Sequence, residues 1–273
     1  MKIVYGPVVS WRLGHSLGID MLCTRGKHCS FDCVYCQLGR TKNPTAERQR
    51  FVAVHDLEQE LRNIPETIEY DVITFSGTGE PTLAKNLSPA LRVVREFTNR
   101  PIAVLTNSSL MSDERVRREL ADFDIVVAKL DAHDQELFQR VNRPASAVRF
   151  EAVMDGLEAF RRTFEGKLAV QIMIIEMNKS HAKDLATLTR LIDPDEVQLN
   201  TTLRPSAVPP LTPREMQAAA VHFKGLNVRQ VYDYAGKRLH TDVLEQDEVM
   251  IRRPGYLKGS VVSGIQGRQG DGQ

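Results

Sequence analysis

The stretch CSFDCVYC, residues 29–36, places three of the chain's four cysteines within eight positions. Cys29, Cys33 and Cys36 form C-x3-C-x2-C, and the fourth cysteine, Cys23, stands upstream. In a reducing compartment, clustered thiols serve as metal ligands or redox groups more often than as disulfides. Three thiolates can hold three irons of a four-iron, four-sulfur cluster and leave the fourth iron open. A vacant coordination position separates a catalytic metal site from a closed structural one. Two other readings stand beside this one. The first is a zinc knot that recruits Cys23, although Cys23-x5-Cys29-x3-Cys33-x2-Cys36 lacks the paired C-x2-C units of common zinc sites. The second is an iron–sulfur electron carrier or redox sensor.

Around this motif, short β-branched runs alternate with stretches of helical period. Strands are expected at 17–22, 71–76 (DVITFS), 102–106 (IAVLT), 124–130 (DIVVAKL), 168–175 (LAVQIMII) and 196–200 (EVQLN), with a further strand in 227–233. Several are apolar at successive positions, as strands buried on both faces of a parallel sheet are. Helix signals lie between them. Ser88 and Pro89 read as N-cap and first residue, Thr212 to Glu215 reads as a capping box with Gly225 as a stop, and Phe150, Val153, Met154, Leu157, Phe160 and Phe164 follow helical spacing. Repeated strand, helix, strand order implies right-handed crossovers. The fold class is therefore α/β, a partial parallel (β/α)6-type barrel resembling part of a TIM barrel. Residues 1–16 form an N-terminal extension that wraps over the barrel mouth or covers an edge strand, 17–233 the core, and 234–273 a C-terminal extension with a frayed tail from about 258.

The cysteine loop follows the first expected strand, so it stands at the C-terminal rim, where a parallel barrel places its ligands. Other strand ends bring polar groups to the same rim. FSGTGEPT, residues 75–82, supplies Gly77, Thr78, Gly79 and Glu80, a turn whose glycines admit close backbone approach and whose carboxylate can accept from an ammonium group. Asn107, Lys129, Asp131 and Asn200 close the later strands. Each has a structural alternative as a turn residue or a local ion pair. Arg12, Lys42, Arg204 and His240 are polar enough to contact an anionic substrate.

Thirty-six Lys and Arg balance thirty-five Asp and Glu, for a net charge of +1, which gives no general attraction to nucleic acid or anionic lipid. No apolar run has the length of a membrane span, and the N-terminus lacks the order of a signal peptide. The expected location is cytoplasmic.

CSFDCVYCQLGR and FSGTGEPTL, with SLGIDM, LTNSSL, VAKLDAHD and VNRP, resemble the radical S-adenosylmethionine superfamily, in particular a stand-alone group related to the wybutosine-synthesis tRNA enzymes. The resemblance runs from about Lys2 to Pro205. It implies a [4Fe-4S] cluster on Cys29, Cys33 and Cys36, S-adenosylmethionine on the open iron, Tyr35 near the adenine, and the Gly77 to Glu80 turn at the methionine end. Asn107, Lys129, Asp131 and Asn200 join this cofactor set. It further implies reductive cleavage to methionine and a 5′-deoxyadenosyl radical that abstracts hydrogen from substrate, with electrons from a low-potential donor such as a flavodoxin or ferredoxin. Thr78 replaces the first glycine of the superfamily's GGE-type segment. The wybutosine enzymes carry a second set of three cysteines, which Cys23 alone cannot supply, so their reaction is not carried over. RNA remains a substrate class that the charge balance does not favour.

Overall fold

A computed structural model describes residues 1–234. Its eight strands form one sheet in sequence order: β1 (Val4–Ser10), β2 (Gly14–Ile19), β3 (Val72–Phe75), β4 (Ile102–Thr106), β5 (Ile125–Lys129), β6 (Lys167–Met173), β7 (Glu196–Asn200) and β8 (Val228–Gln230). β1 pairs antiparallel with β2, and every later pair is parallel. Six crossovers carry the helices α1 (Val54–Arg62), α2 (Leu87–Phe97), α3 (Glu114–Ala121), α4 (Gln135–Val141), α5 (Phe150–Arg161), α6 (Ala182–Ile192) and α7 (Pro213–Ala220). The sheet curls into the expected partial barrel.

The two faces of the sheet differ in chemistry. Ile73, Phe75, Val104, Val126, Val170, Ile172, Val197 and Leu199 join the helices in one hydrophobic core. Alternate positions carry Thr74, Gln171 and Gln198, buried but polar, because side chains along a strand point to opposite faces. The strands are thus buried on both sides, with the polar side facing the barrel interior. The expected Phe and Met stripe is the buried face of α5, with Phe164 stacked on Phe160 beyond the helix end, ring centroids 4.6 Å apart.

Several boundaries differ from expectation. The first parallel strand runs Gly14–Ile19, because Asp20 turns the chain: its Oδ1 accepts from the N–H groups of Leu22 and Cys23 at 3.1 and 3.0 Å. Of the two alternatives for the N-terminal segment, the structure has the second: β1 pairs antiparallel along β2, covers the edge of the parallel strands and becomes the edge strand of the whole sheet. The β1–β2 turn lies at the N-terminal ends of the parallel strands. There Arg229 of β8 donates to the Arg12 and Trp11 carbonyls at 3.1 and 3.3 Å, tying the last strand to the first hairpin. Helix α2 starts at Leu87, ahead of the expected Ser88 cap, and the Asn86 amide donates to Val52 O instead of capping. The Thr212 capping box is formed, and Gly225 takes a φ of +92° two residues past a 3-10 turn that extends α7. The strand expected at 227–233 is shorter, giving way to a 3-10 turn over Val231–Tyr234. The tail from 258 and His240 lie outside the described residues. No helix among the described residues is long and apolar enough to cross a membrane.

Candidate functional site

Between Ile19 and Val54 the chain forms no regular element, yet it is pinned at three points. Bridges join His28 to Gly79, Phe31 to Pro144 and Gln49 to Ala84. A long irregular loop held this firmly inside a compact domain is characteristic of function. The first bridge docks the cysteine loop on the turn after β3: His28 N donates to Thr78 O at 2.9 Å, and Glu80 N donates to His28 O at 3.1 Å. Gly79 is required here, because a Cβ would fall inside the 3.0 Å limit of real contacts with the His28 carbonyl. Gly77 meets Asp20 in the same way. Both glycines therefore admit close approach of protein atoms on their Cα side.

The second bridge brings the chain after α4 against the motif. Asp32 N donates to Asn142 O at 3.0 Å, Val34 N to Val141 O at 3.0 Å and Ala145 N to Ser30 O at 2.8 Å. Asp32 is in turn fixed by Thr41 N at 2.7 Å and paired with Arg40 at 3.2 Å. Cys36 N closes a turn on Cys33 O at 3.1 Å.

All four cysteines are free thiols. Asn107 Nδ2 lies 3.5 Å from Cys29 Sγ, and Asn142 Nδ2 lies 3.5 Å from Cys33 Sγ. Burial pushes the Cys29 thiol up to about 12, reinforced by Glu80 and Cys33 and opposed by Lys27. Burial also raises Cys33, with Asp131 adding to the effect and Lys27 again opposing. For Lys27 burial disfavours the charge, but attraction to Cys36, Cys29 and Cys33 outweighs it and raises its pKa. Such thiols ionise on binding a metal, which supplies the positive charge that burial withholds.

Among the described residues, the trio of His, Cys, Asp or Glu whose ligand atoms all lie within 4.8 Å of one another is His133, His181 and Asp184. No three cysteines meet that condition, whereas thiolates on one tetrahedral zinc stand about 3.8 Å apart. Cys23 Sγ instead lies 3.5 Å from the Met1 and Lys2 carbonyls. Cys23 is thus held apart, and the loop offers Cys29, Cys33 and Cys36, a donor set of three thiols that suits iron in a cluster with one iron left open.

The other expected residues fall into two groups beside the sulfurs. In the first, buried Glu80 accepts from Thr82 N at 3.1 Å, Thr82 Oγ1 at 2.7 Å, Thr106 Oγ1 at 2.7 Å and Asn107 N at 2.6 Å. Burial raises its pKa, and these bonds oppose the rise. Glu80 thus ties the β3 turn to the end of β4. Asn107 continues the group, donating to Ser30 Oγ at 2.8 Å. Thr78, in the place of a glycine, donates through N and Oγ1 to Asp20 Oδ2 at 3.1 and 2.9 Å.

The second group centres on buried Asp131, which receives the Tyr35 hydroxyl, Asn142 Nδ2 at 2.9 Å and Met173 N at 2.8 Å. Burial, then Asp131, raises the Tyr35 phenol well above its ordinary value. Lys129 Nζ sits 3.4 Å from Asp131 and 5.1 Å from the Tyr35 ring centroid, so the ion pair is real and lies within the site. Asn200 stands one strand away, opposite Met173 in the β6–β7 ladder, with its Oδ1 accepting from Thr201 N at 2.9 Å. Arg204 joins the rim through Gln37 at 3.3 Å, Arg12 reaches Gln171 at 3.3 Å from below, and Lys42 is exposed. Sequence reasoning overlooked Asp20, the His28 carbonyl and Asn142. Asn142 lay within the quoted VNRP, but nothing in its spacing reveals a reach to Cys33.

A family model described as the Radical SAM superfamily matches residues 24–189. A UPF0026 protein of Synechocystis sp. is 42% identical over 220 residues, covering 80% of this chain and 81% of that protein. A UPF0026 protein of Methanocaldococcus jannaschii is 37% identical over 226 residues, covering 80% and 68%. Among solved structures, Streptococcus suis SuiB bound to S-adenosylmethionine aligns with a TM-score of 0.58 at 15% identity, over 76% of this chain and 48% of that one. Archaeal TYW1 aligns with a TM-score of 0.54 at 14% identity, over 78% and 72%. At such identities the structures speak for the fold, and the fold they share is the partial barrel. With the cysteine loop and strands β3 to β6 inside the matched segment, the chain belongs to the radical SAM superfamily of enzymes and groups with the UPF0026 proteins.

Proposed function

We propose that Cys29, Cys33 and Cys36 hold a [4Fe-4S] cluster and that the protein is a radical S-adenosylmethionine enzyme. The observation that carries this reading is that the loop bearing Cys29, Cys33 and Cys36 is pinned to the turn after β3 and to the chain after α4, with Asn107 and Asn142 each 3.5 Å from a cysteine sulfur. When bound, cluster and cofactor supply reductive cleavage to methionine and a 5′-deoxyadenosyl radical able to take hydrogen from a substrate.

The chain's own residues prepare that chemistry. Asn107 and Asn142 direct N–H groups at two sulfurs, which tunes their electron density. Lys27 offsets part of the thiolate charge. The turn from Gly77 to Glu80 offers its backbone to the methionine end, with Glu80 as a positioning residue whose carboxylate locks the turn to β4. Tyr35, Lys129 and Asp131 form the wall for the nucleoside end, and Asn200 completes it from the next strands. Below the site, Arg229 ties the β1–β2 hairpin to β8. Electrons come from a low-potential donor of the flavodoxin or ferredoxin kind.

Electron paramagnetic resonance of the anaerobically reconstituted, dithionite-reduced protein tests the reading. The reduced-cluster signal shifts on addition of S-adenosylmethionine, and Cys33→Ala abolishes the cofactor-responsive signal. A cluster whose spectrum ignores the cofactor points instead to an electron carrier.

A further inference from the structure

Outside the cysteine loop, a second set of metal-ligating side chains converges on the same rim. His133 lies in the connection from β5 to α4, His181 ends the 3-10 turn Lys179–His181 before α6, and Asp184 is in the first turn of α6. One ligand atom from each lies within 4.8 Å of the others, and the two imidazoles stack with centroids 4.6 Å apart.

The surroundings prepare these groups. Asp134 caps α4, accepting from Leu137 N at 2.8 Å, and its other oxygen lies 3.1 Å from His133 Nε2. Nε2 faces that carboxylate, and the other ring nitrogen, Nδ1, is buried with no hydrogen-bond partner. A carboxylate behind a histidine whose other nitrogen is available is the arrangement that orients metal-binding imidazoles. The two loops are already clamped. Asn178, fully buried, donates to the Asp131 and Met173 carbonyls at 2.9 Å each and accepts from Ile175 N at 2.8 Å. Lys179, a neighbouring cation, is neutralised by Glu176 and Glu215 at 2.7 Å each. His181 is half-buried and Asp184 exposed, so both can close on an ion while His133 stays fixed.

We propose that His133, His181 and Asp184 form a second metal site, separate from the cysteine loop, for a borderline divalent transition-metal ion such as zinc, with its remaining coordination completed by water. Since His133 stands two residues beyond Asp131, the ion links the β5 and β6 loops next to the Asp131 and Tyr35 wall. The inference does not depend on what the cysteines hold.

The test is zinc binding by equilibrium dialysis with elemental analysis, on the full chain carrying Cys29→Ser, Cys33→Ser and Cys36→Ser so that the thiolates do not contribute. One equivalent is expected, with a rise in melting temperature on adding zinc. His181→Ala and Asp184→Asn lose both, and Asp134→Asn, which retains a helix cap, binds about 10- to 100-fold more weakly. If the cysteine variant does not fold, the difference in zinc content between the unsubstituted chain and His181→Ala reads the same equivalent. No zinc in the parent, or equal zinc and equal melting shifts in the parent and His181→Ala, overturns the proposal.

Discussion

Substituting Gly79 by Ala tests how the cysteine loop is held. The new Cβ meets the His28 carbonyl well inside contact distance, and that atom is backbone, so the loop itself must move. Displacement breaks the bonds from His28 N to Thr78 O and from Glu80 N to His28 O, at about 1 kcal/mol each. Residual overpacking in a buried setting adds about 1–3 kcal/mol. Reduced freedom of the unfolded chain returns about 0.4–1 kcal/mol. The net loss is about 2–4.5 kcal/mol, which at about 2–4 °C per kcal/mol lowers the melting temperature by roughly 4–18 °C. Gly26, in the same loop, is the matched control. Its Cβ meets nothing within 4 Å, so Gly26→Ala stays within about 0.5 kcal/mol of the parent. Thermal melts by circular dichroism under reducing conditions give both values, and iron content after reconstitution shows whether the loop still presents its thiols. Equal melting of the two variants would refute the docking argument.

Asn142→Ala removes a donor to Cys33 Sγ and to Asp131, which destabilises the iron-free protein by about 1–3 kcal/mol in chemical denaturation. In the reconstituted protein it moves the cluster midpoint to more negative potential, because a donor to sulfur favours the reduced, more negative state; an unchanged midpoint in a redox titration contradicts this. Arg229→Ala releases the seam between β8 and the first hairpin at about 1–2 kcal/mol, read as faster hydrogen exchange at Arg12 and Leu13. Glu215 is held down to about 2 by Lys179, then by Thr212. Its pKa in the fold lies below the ordinary 4.5, so its contribution is present above pH 4.5 and is lost as pH falls through about 2. Glu215→Gln flattens that part of the acid unfolding curve, and the difference shrinks at high salt because the pair is accessible to solvent.

The middle of the sheet was readable because its strands are uniform. β4 and β7 begin and end at the residues expected from the sequence, and β5 and β6 differ by a residue or two. β1 was not readable as a strand. Gly6 and Pro7 interrupt it, and the register shifts between Tyr5 and Val8, an irregularity that an edge strand tolerates and a central one does not. The α2 start misled because Ser88 and Pro89 form a strong local signal, whereas the packing of Leu87 in the core sets the first turn. The cysteines and the Gly77 to Glu80 turn were readable because their chemistry is compressed into single short segments. Asp20 and Asn142 were not, since each acts on a segment far from it in sequence, and such convergence exists only after the strands have aligned. The polar inner face escaped notice for a related reason: residues such as Gln171 and Gln198 interrupt apolar runs without revealing which side of a curled sheet they occupy.

The most direct test of the central claim is the reaction itself. Protein reconstituted with iron and sulfide under anaerobic conditions is given S-adenosylmethionine and dithionite, and 5′-deoxyadenosine and methionine are followed by mass spectrometry. The account predicts both products in equal amounts, with none above background when Cys29, Cys33 or Cys36 is replaced by Ala. An intact cluster that forms neither product, or product formation that survives Cys33→Ala, would contradict it.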